Sequence, residues 1–248
     1  MLFTSLLLAA TAADPQALWR IVHDTCMPEA AEHALVEPCM QVAPDGGWAV
    51  LKDIRGATQF LLVPTVRIGG IESAVVLAPD APNYFQAAWA ARIFVSARAG
   101  RDLPRDAIAL AINSPFRRGQ DQLHIHIDCV RPDVRTALRD HAAVLGPTWA
   151  PLPGGLLHQP YLARRLDGAE LGAANPFQLL AAAPGVGAAG MRFWTIVVVG
   201  ATFTQADGHG AQDGFVLLAD RADPARGDGA HGEDLLDHAC ALAHEAAD

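Results

Sequence analysis

The chain has 248 residues, of which 51% are hydrophobic, and its formal net charge is −9. This length and apolar content suffice for one large domain that buries its own core. The acidic balance, with no basic stripe along the chain, argues against a surface that binds nucleic acid.

The first 13 residues (MLFTSLLLAATAA) form a short apolar run that ends in small residues. This pattern resembles a secretory signal with cleavage after Ala12 or Ala13, although the basic residues that usually precede the apolar run are missing. A buried helix and the end of a longer membrane anchor are the alternatives, since the run is short for a bilayer span. Residues 14–248 are expected to form a single domain.

Four cysteines favour the exported interpretation: Cys26, Cys39, Cys129 and Cys240. An even number of cysteines in an exported chain predicts two disulfides, and four cysteines allow three pairings. We favour a local bridge between Cys26 and Cys39 and a long-range bridge between Cys129 and Cys240. No two cysteines have the C-x-x-C spacing of a zinc or redox site.

The hydrophobic pattern predicts a mixture of helices and short strands. The predicted helices cover residues 14–25, 82–98 and 132–145, and the predicted strands cover residues 48–53, 58–63, 107–112, 123–128, 191–199 and 214–219. Gly56 suggests a hairpin between the first two strands, and Gly100 ends the second helix. Residues 181–190 and 220–232 are expected to be loops. Strand pairs joined by short turns favour an α+β architecture built on an antiparallel sheet, with the last two strands extending it.

Residues 123–128 (LHIHID) carry the strongest chemical signal. Successive side chains of a strand point to opposite faces, so His124, His126 and Asp128 share one face of the sheet. Two imidazoles and a carboxylate on one face can bind a transition metal, or one imidazole can act as a nucleophile.

The residues upstream of this strand resemble the histidine-triad superfamily. Asn113, the Gly-Gln pair at 119–120, His124 and His126 follow the spacing of that superfamily without a gap. The resemblance implies that the middle histidine, here His126, attacks the α-phosphorus of a nucleotide. An alternative register centres the triad on Gln122, His124 and His126 and makes His124 the nucleophile. The ungapped spacing favours His126.

Further blocks of sequence resemble the CDP-diacylglycerol pyrophosphatase family. They are residues 50–53 (VLKD), 60–65 (FLLVPT), 111–114 (AINS), 124–127 (HIHI), 129–134 (CVRPDV), 151–155 (PLPGG), 161–165 (YLARR) and 215–219 (FVLLA), and the four cysteines also match. The resemblance implies hydrolysis of CDP-diacylglycerol to CMP and phosphatidate, without a metal or cofactor. It places the enzyme on the periplasmic side of a bacterial inner membrane or in the periplasm. The oligomeric state stays open.

The resemblance assigns roles to individual residues. His126 would be the nucleophile, and His124 would orient it and bind phosphate. Asp128 departs from the third histidine of the triad, which leaves protonation of the leaving group open. The expected phosphate ligands are polar or cationic: Asn113, Ser114, Gln120, Gln122, Lys52, Arg117 and Arg118, with Arg67, Arg131, Arg164 and Arg165 as further cations. The other histidines, including His231 and His238, are expected at the surface.

Two competing functions stay open. In the first, His124, His126 and Asp128 bind a metal, and chelator would abolish activity. In the second, the chain is an exported lipid- or nucleotide-binding protein that does no chemistry.

Overall fold

A computed structural model describes residues 14–30, 37–204 and 210–244 of the chain. The predicted N-terminal signal, residues 1–13, lies outside the described residues. The strands are β1 (Cys39–Ala43), β2 (Trp48–Lys52), β3 (Phe60–Pro64), β4 (Ile108–Ile112), β5 (Ile125–Val130), β6 (Ala150–Pro151), β7 (Leu162–Asp167), β8 (Trp194–Thr204), β9 (Ala211–Arg221) and β10 (Leu236–Asp237).

The helices are short. They are α1 (Ala17–Arg20), which continues through a π-helical segment (Ile21–Cys26) into α2 (Met27–Ala30), then α3 (Tyr84–Ala90), α4 (Ile93–Ala99), α5 (Pro132–Asp140), α6 (Pro176–Ala181) and α7 (Gly187–Gly190). Within the described residues, no helix combines the length and apolar character that crossing a membrane requires.

The strands form one antiparallel sheet in the order β1-β2-β3-β5-β4-β8-β9-β7-β6, and the short strand β10 pairs with the end of β5. The sheet confirms the predicted α+β class. The hairpin of β2 with β3 and that of β8 with β9 confirm the two predicted strand pairs. Strand β5 lies centrally, between β3 and β4, so both of its edges are paired.

Alternation along β5 separates two faces. Ile125 and Ile127 pack in the main core with the buried rings of Phe85 and Trp89 from α3. The opposite face carries His124, just before the strand, together with His126 and Asp128. The cross-strand neighbours of His126 are Leu61 on β3 and Ala111 on β4. The small side chain at Ala111 leaves room above the sheet for another chain segment.

That segment comes from the C-terminal part of the chain. A 3₁₀ turn (Gly232–Leu235) lies flat on the sheet because Gly232 has no side chain. A Cβ atom at Gly232 would lie 2.4 Å from Oγ1 of Thr195 and 2.8 Å from Cγ2 of Val197. The close approach brings the following residue, Glu233, over β4 and β5.

Both predicted disulfides, Cys26–Cys39 and Cys129–Cys240, are present. Several local predictions need correction. The strand predicted over 191–199 begins at Trp194 after a 3₁₀ turn (Met191–Phe193), and the helix predicted over 132–145 ends at Asp140. The helix predicted over 82–98 is divided into α3 and α4 by a turn at residues 91–92, and Gly100 ends α4 in the left-handed conformation at φ 72°. Residues 181–190 are not entirely a loop, because they include α7. In addition, strand β1 was not predicted from the sequence.

Candidate active site

His126 lies at the centre of a buried polar cluster on β5. Its side chain is 6% exposed, and three residues from separate parts of the chain surround its ring. Nε2 of Gln59 lies 3.1 Å from Nδ1 of His126. Nδ2 of Asn113 and Oε2 of Glu233 each lie 3.4 Å from Nε2 of His126. Asn113, which the sequence predicts as a phosphate ligand, therefore lies beside His126.

The contacts of Gln59 determine which nitrogen of His126 carries the proton. The Gln59 amide nitrogen donates to Oδ2 of Asp53 at 2.6 Å and also faces Nδ1 of His126. Exchanging the amide oxygen and nitrogen would put two oxygens 2.6 Å apart, so the donor assignment is fixed by chemistry. Nδ1 of His126 faces only this donor. Nε2 faces an acceptor, the Glu233 carboxylate, and a donor, the Asn113 amide nitrogen, each at 3.4 Å. The tautomer that fits both nitrogens of the neutral ring carries its proton on Nε2, directed at Glu233.

His124 has the opposite tautomer. Its Nδ1 lies 2.7 Å from the backbone carbonyl of Gln122, which can only accept, so Nδ1 carries the proton. Nε2 of His124 is left with a lone pair, which is what a nucleophile requires. The two imidazole rings meet edge to face with their centroids 4.9 Å apart.

Burial keeps both strand histidines neutral. Burial lowers the pKa of His124 below its ordinary value and lowers the pKa of His126 to about 3. At neutral pH, the face of β5 thus presents one nitrogen with a lone pair, on His124, and one N–H donor, on His126.

Asp128 does not bond to either strand histidine in this arrangement. Its fully buried carboxyl accepts hydrogen bonds from Oγ1 of Thr58 at 2.6 Å, from its neighbouring Cys129 amide at 2.9 Å and from Nδ1 of His238 at 2.9 Å. Burial raises the pKa of the Asp128 carboxyl above its ordinary value, and the hydrogen bond from His238 opposes that shift. Asp128 therefore holds a third histidine.

Glu233 connects the two halves of the cluster. Besides His126, its carboxylate faces Nδ2 of Asn113 at 3.1 Å, Nε2 of His238 at 3.3 Å and Nε2 of His231 at 3.5 Å. Its backbone N–H donates to Oδ1 of Asn113 at 3.1 Å. Burial acts in the opposite direction, but the hydrogen bonds from His231 and His238 hold the pKa of Glu233 well below its usual range.

His231 and His238 are cationic. Hydrogen bonds to Asp128 and Glu233 raise the pKa of His238 to about 10. Burial works against it, yet hydrogen bonds to Asp234 and Glu233 raise the pKa of His231 to about 9. These two histidines were expected at the surface; they are half-buried, with 23% and 35% of their side chains exposed, and both belong to the cluster.

Sequence reasoning missed Glu233, His231 and His238, since no ligand-like spacing links them to β5. One signal was available. The predicted bridge between Cys129 and Cys240 ties the residue after Asp128 to a residue two positions beyond His238.

The predicted polar ligands other than Asn113 make contacts elsewhere. Ser114 donates to the carbonyl of Gly229. Gln120 bonds to the backbone of Asp14 and Leu18. Gln122 is fully buried and bonds to the backbone of Pro64, Val66 and Ile68. These side chains hold the loops that lead into β5, while the site's amide donors are those of Asn113 and Gln59.

The predicted cations also lie apart from the histidine rings. Nζ of Lys52 donates to the carbonyls of Asp53, at 2.7 Å, and Gly56, at 3.0 Å. Arg118 forms an ion pair with Glu72 at 2.5 Å. Arg117 packs beside Gly229 and lines a pocket with His231 and Asp234, so it borders the cluster.

Three of the further cations have partners of their own. Arg131 pairs with Asp133, Arg165 pairs with Asp167, and Arg67 bonds to Gln16. For Arg164, the structure gives no contact with the cluster.

Over the described ranges, no group of three or more His, Cys, Asp and Glu side chains could hold a metal ion. The cluster is instead organised by hydrogen bonds and by alternating charges.

Comparison with known proteins gives a consistent result. A family model described as CDP-diacylglycerol pyrophosphatase matches residues 13–244. A protein of Yersinia pestis named CDP-diacylglycerol pyrophosphatase is 42% identical over 229 residues, which cover 92% of this chain and 85% of that protein. The family-model match includes β5 and the C-terminal segment that carries Glu233 and His238.

Proposed function

The chain belongs to the CDP-diacylglycerol pyrophosphatase family, and we propose that it hydrolyses CDP-diacylglycerol to CMP and phosphatidate through a covalent histidine intermediate. The observation that carries the mechanism is the pair of neutral, buried imidazoles with opposite tautomers beside Asn113. One ring offers a lone pair and the other offers a proton. The lone pair can attack the phosphorus, and the N–H can donate to the phosphoryl oxygens as they gain negative charge.

Two observations favour different nucleophiles. The sequence spacing from Asn113 favours His126. The hydrogen bonds favour His124, because Nε2 of His124 has a lone pair while Nε2 of His126 carries the proton. We assign attack to His124 and hydrogen-bond donation to His126, which corresponds to the second of the two registers considered from the sequence.

In the first step, Nε2 of His124 attacks the cytidine-side phosphorus. A P–N bond forms, the P–O bond to phosphatidate breaks, and the electron pair stays on the phosphatidate oxygen. Nε2–H of His126 and the amide of Asn113 donate to the phosphoryl oxygens, where negative charge grows. Removing one such donor typically costs about 3 kcal/mol of transition-state stabilisation. In the second step, water attacks the same phosphorus, the P–N bond breaks and its electron pair returns to Nε2 of His124. CMP leaves with the oxygen of that water, and the proton that the water loses goes to solvent.

The competing functions make different predictions. Metal ligation by His124, His126 and Asp128 would have to displace hydrogen bonds that Asp128 accepts from Thr58 and His238. Activity that survives chelator would exclude that alternative. A non-catalytic binding protein would bind CDP-diacylglycerol and never release CMP.

We also propose a histidine-triad-like fold and an exported location, at the periplasmic side of the inner membrane or in the periplasm. The antiparallel arrangement of β4 and β5 supports the first proposal, and the two disulfides support the second because such bonds persist in oxidising compartments. Cell fractionation tests the location, and its result leaves the activity assignment unchanged.

Hydrolysis in water enriched with ¹⁸O tests the reaction. The proposal expects CMP release by the wild-type protein, with ¹⁸O in CMP and none in phosphatidate. Label in phosphatidate would mean attack on the lipid-side phosphorus and would contradict the mechanism. His141→Gln serves as the control for histidine substitutions in the cluster, since His141 bonds to the helix carbonyl of Ala137, away from the cluster.

A further inference from the structure

We propose that His238 is a further catalytic residue, whose imidazolium contacts the pyrophosphate oxygens of the substrate while Asp128 and Glu233 hold its ring in place. This inference rests on the proposed function. It gives Asp128, which departs from the histidine triad, the role of a positioning residue.

The hydrogen-bond partners of the His238 ring indicate that it is positively charged. Nδ1 lies 2.9 Å from Oδ2 of Asp128, and Nε2 lies 3.3 Å from Oε1 of Glu233. With Asp128 and Glu233 ionised, their oxygens accept and do not donate, so both ring nitrogens carry protons. An imidazole with two protons is positively charged, and the raised pKa of His238 agrees with this geometry.

The ring is within reach of an incoming substrate. The side chain of His238 is 35% exposed, whereas those of Glu233 and Asp128 are 11% and 0% exposed. Its separation from Glu233 is long for an N–H···O bond, so Nε2–H can be shared with a phosphoryl oxygen. The same Glu233 carboxylate also faces Nε2 of His126, which places His238 beside the proposed reaction centre.

Backbone contacts on both sides fix the position of His238. The pairing of β10 with β5 sets Asp237 opposite Cys129, and Cys240 is bonded to Cys129. On the other side, the amide of Ala57 donates to the carbonyl of His238 at 2.8 Å. The C-terminal segment is therefore attached to the strand that carries the other two histidines.

The charge balance of the cluster shows why a cation is needed there. Asp128 and Glu233 place two carboxyl groups beside a site for an anionic pyrophosphate, and like charges repel. Arg118 and Lys52 are engaged with Glu72 and with backbone carbonyls. The cation of His231 pairs with Glu233 and Asp234, and Arg117 lies beside that pair. The imidazolium of His238 offsets the carboxylates and offers a positive charge at the exposed edge of the cluster.

The pH dependence of His238 reflects several charged neighbours. Asp128 on β5 and Glu233 on the 3₁₀ turn face the ring directly and favour its charge. His231 lies against Glu233, and Lys52 interacts electrostatically with Asp128. The positive charge of His238 in turn lowers the pKa of His126. Arg98, bonded to the carbonyl of Ala57, borders the loop behind the ring.

The test compares His238→Gln and His238→Ala with the wild-type protein and with His141→Gln. We expect His238→Gln to lower kcat/KM at pH 7 by about 100-fold, the scale of one lost electrostatic contact. In the wild-type protein, kcat/KM plotted against pH should fall at alkaline pH as His238 loses its proton. This alkaline limb should be absent from the profile of His238→Gln. Added imidazole should restore part of the activity of His238→Ala. Asp128→Asn should move the alkaline limb to lower pH, because it removes a group that favours the charged ring.

Three outcomes would overturn the inference. They are an unchanged kcat/KM in His238→Gln, an unchanged alkaline limb in that variant, and failure of imidazole to restore activity to folded His238→Ala. Failure of the proposed function is distinguishable, because the wild-type protein and His141→Gln would then also release no CMP.

Discussion

The two disulfides make a matched pair of perturbations that separates stability from catalysis. Cys129–Cys240 joins residues 111 apart in sequence and attaches the C-terminal segment to β5. Cys26–Cys39 joins residues 13 apart and holds the N-terminal helices to β1. Only the first bridge touches the segment that carries Glu233 and His238. We expect both double alanine variants to lose stability and only one to lose activity.

The magnitudes follow from the lengths of the closed loops. Chain entropy predicts about 4.7 kcal/mol for a loop of about 100 residues and about 3 kcal/mol for one of about 15. Native domains are stable by about 5–15 kcal/mol, and a loss of about 4.7 kcal/mol is close to the lower bound, so activity is compared only under conditions in which each variant is folded. Cys129→Ala/Cys240→Ala should also lose at least about tenfold in kcat/KM, or about 1.4 kcal/mol of transition-state stabilisation, because His238 is no longer held against Asp128.

Urea unfolding at pH 7 measures the stability change, and CMP release from CDP-diacylglycerol in detergent micelles measures activity below the unfolding transition. Cys26→Ala/Cys39→Ala should retain the wild-type kcat/KM. The reasoning is refuted if folded Cys129→Ala/Cys240→Ala retains it as well. It is equally refuted if both variants lose activity to the same extent.

Three further predictions concern the cluster and its supports. Gly232→Ala should cost about 1–3 kcal/mol of unfolding free energy by crowding Thr195, and should lower kcat by displacing Glu233, as urea unfolding and steady-state kinetics would measure. Asn113→Ala should lower kcat by about 100-fold or more with little change in KM, because its amide acts on the transition state; a change confined to KM would contradict this. The folded pKa of His238, about 10, lies above its unfolded value near 6.5, so its contribution to stability is complete below about pH 6.5 and is lost as the pH rises through about 10. The urea midpoint should accordingly fall less between pH 7 and 10 in His238→Gln than in the wild-type protein.

Much of the sheet follows from local sequence pattern. The alternation of His124, Ile125, His126, Ile127 and Asp128 predicts which side chains enter the core, and the structure confirms it because β5 is central and paired on both edges. The sequence left three cysteine pairings possible, and the favoured one is the one found.

The composition of the cluster was less predictable. Glu233 lies 107 positions beyond His126 along the chain, and only the pairing of β10 with β5 and the close approach of Gly232 bring them together. Gln122 illustrates the opposite case. Its position beside the histidines suggests a substrate ligand, but its amide nitrogen donates hydrogen bonds to the backbone carbonyls of Pro64 and Val66. Such competition for hydrogen bonds depends on tertiary contacts that sequence spacing does not encode.

The most direct test of the central claim is to trap the covalent intermediate. The wild-type protein and a slowed Asn113→Ala variant would be mixed with CDP-diacylglycerol labelled in the cytidine, quenched in alkali, digested and analysed by mass spectrometry. The account predicts a cytidylyl group on His124, absent from His124→Gln and still formed slowly by His126→Gln. An adduct on His126 would reverse the two roles. The absence of any adduct in both proteins during active turnover would contradict the covalent mechanism.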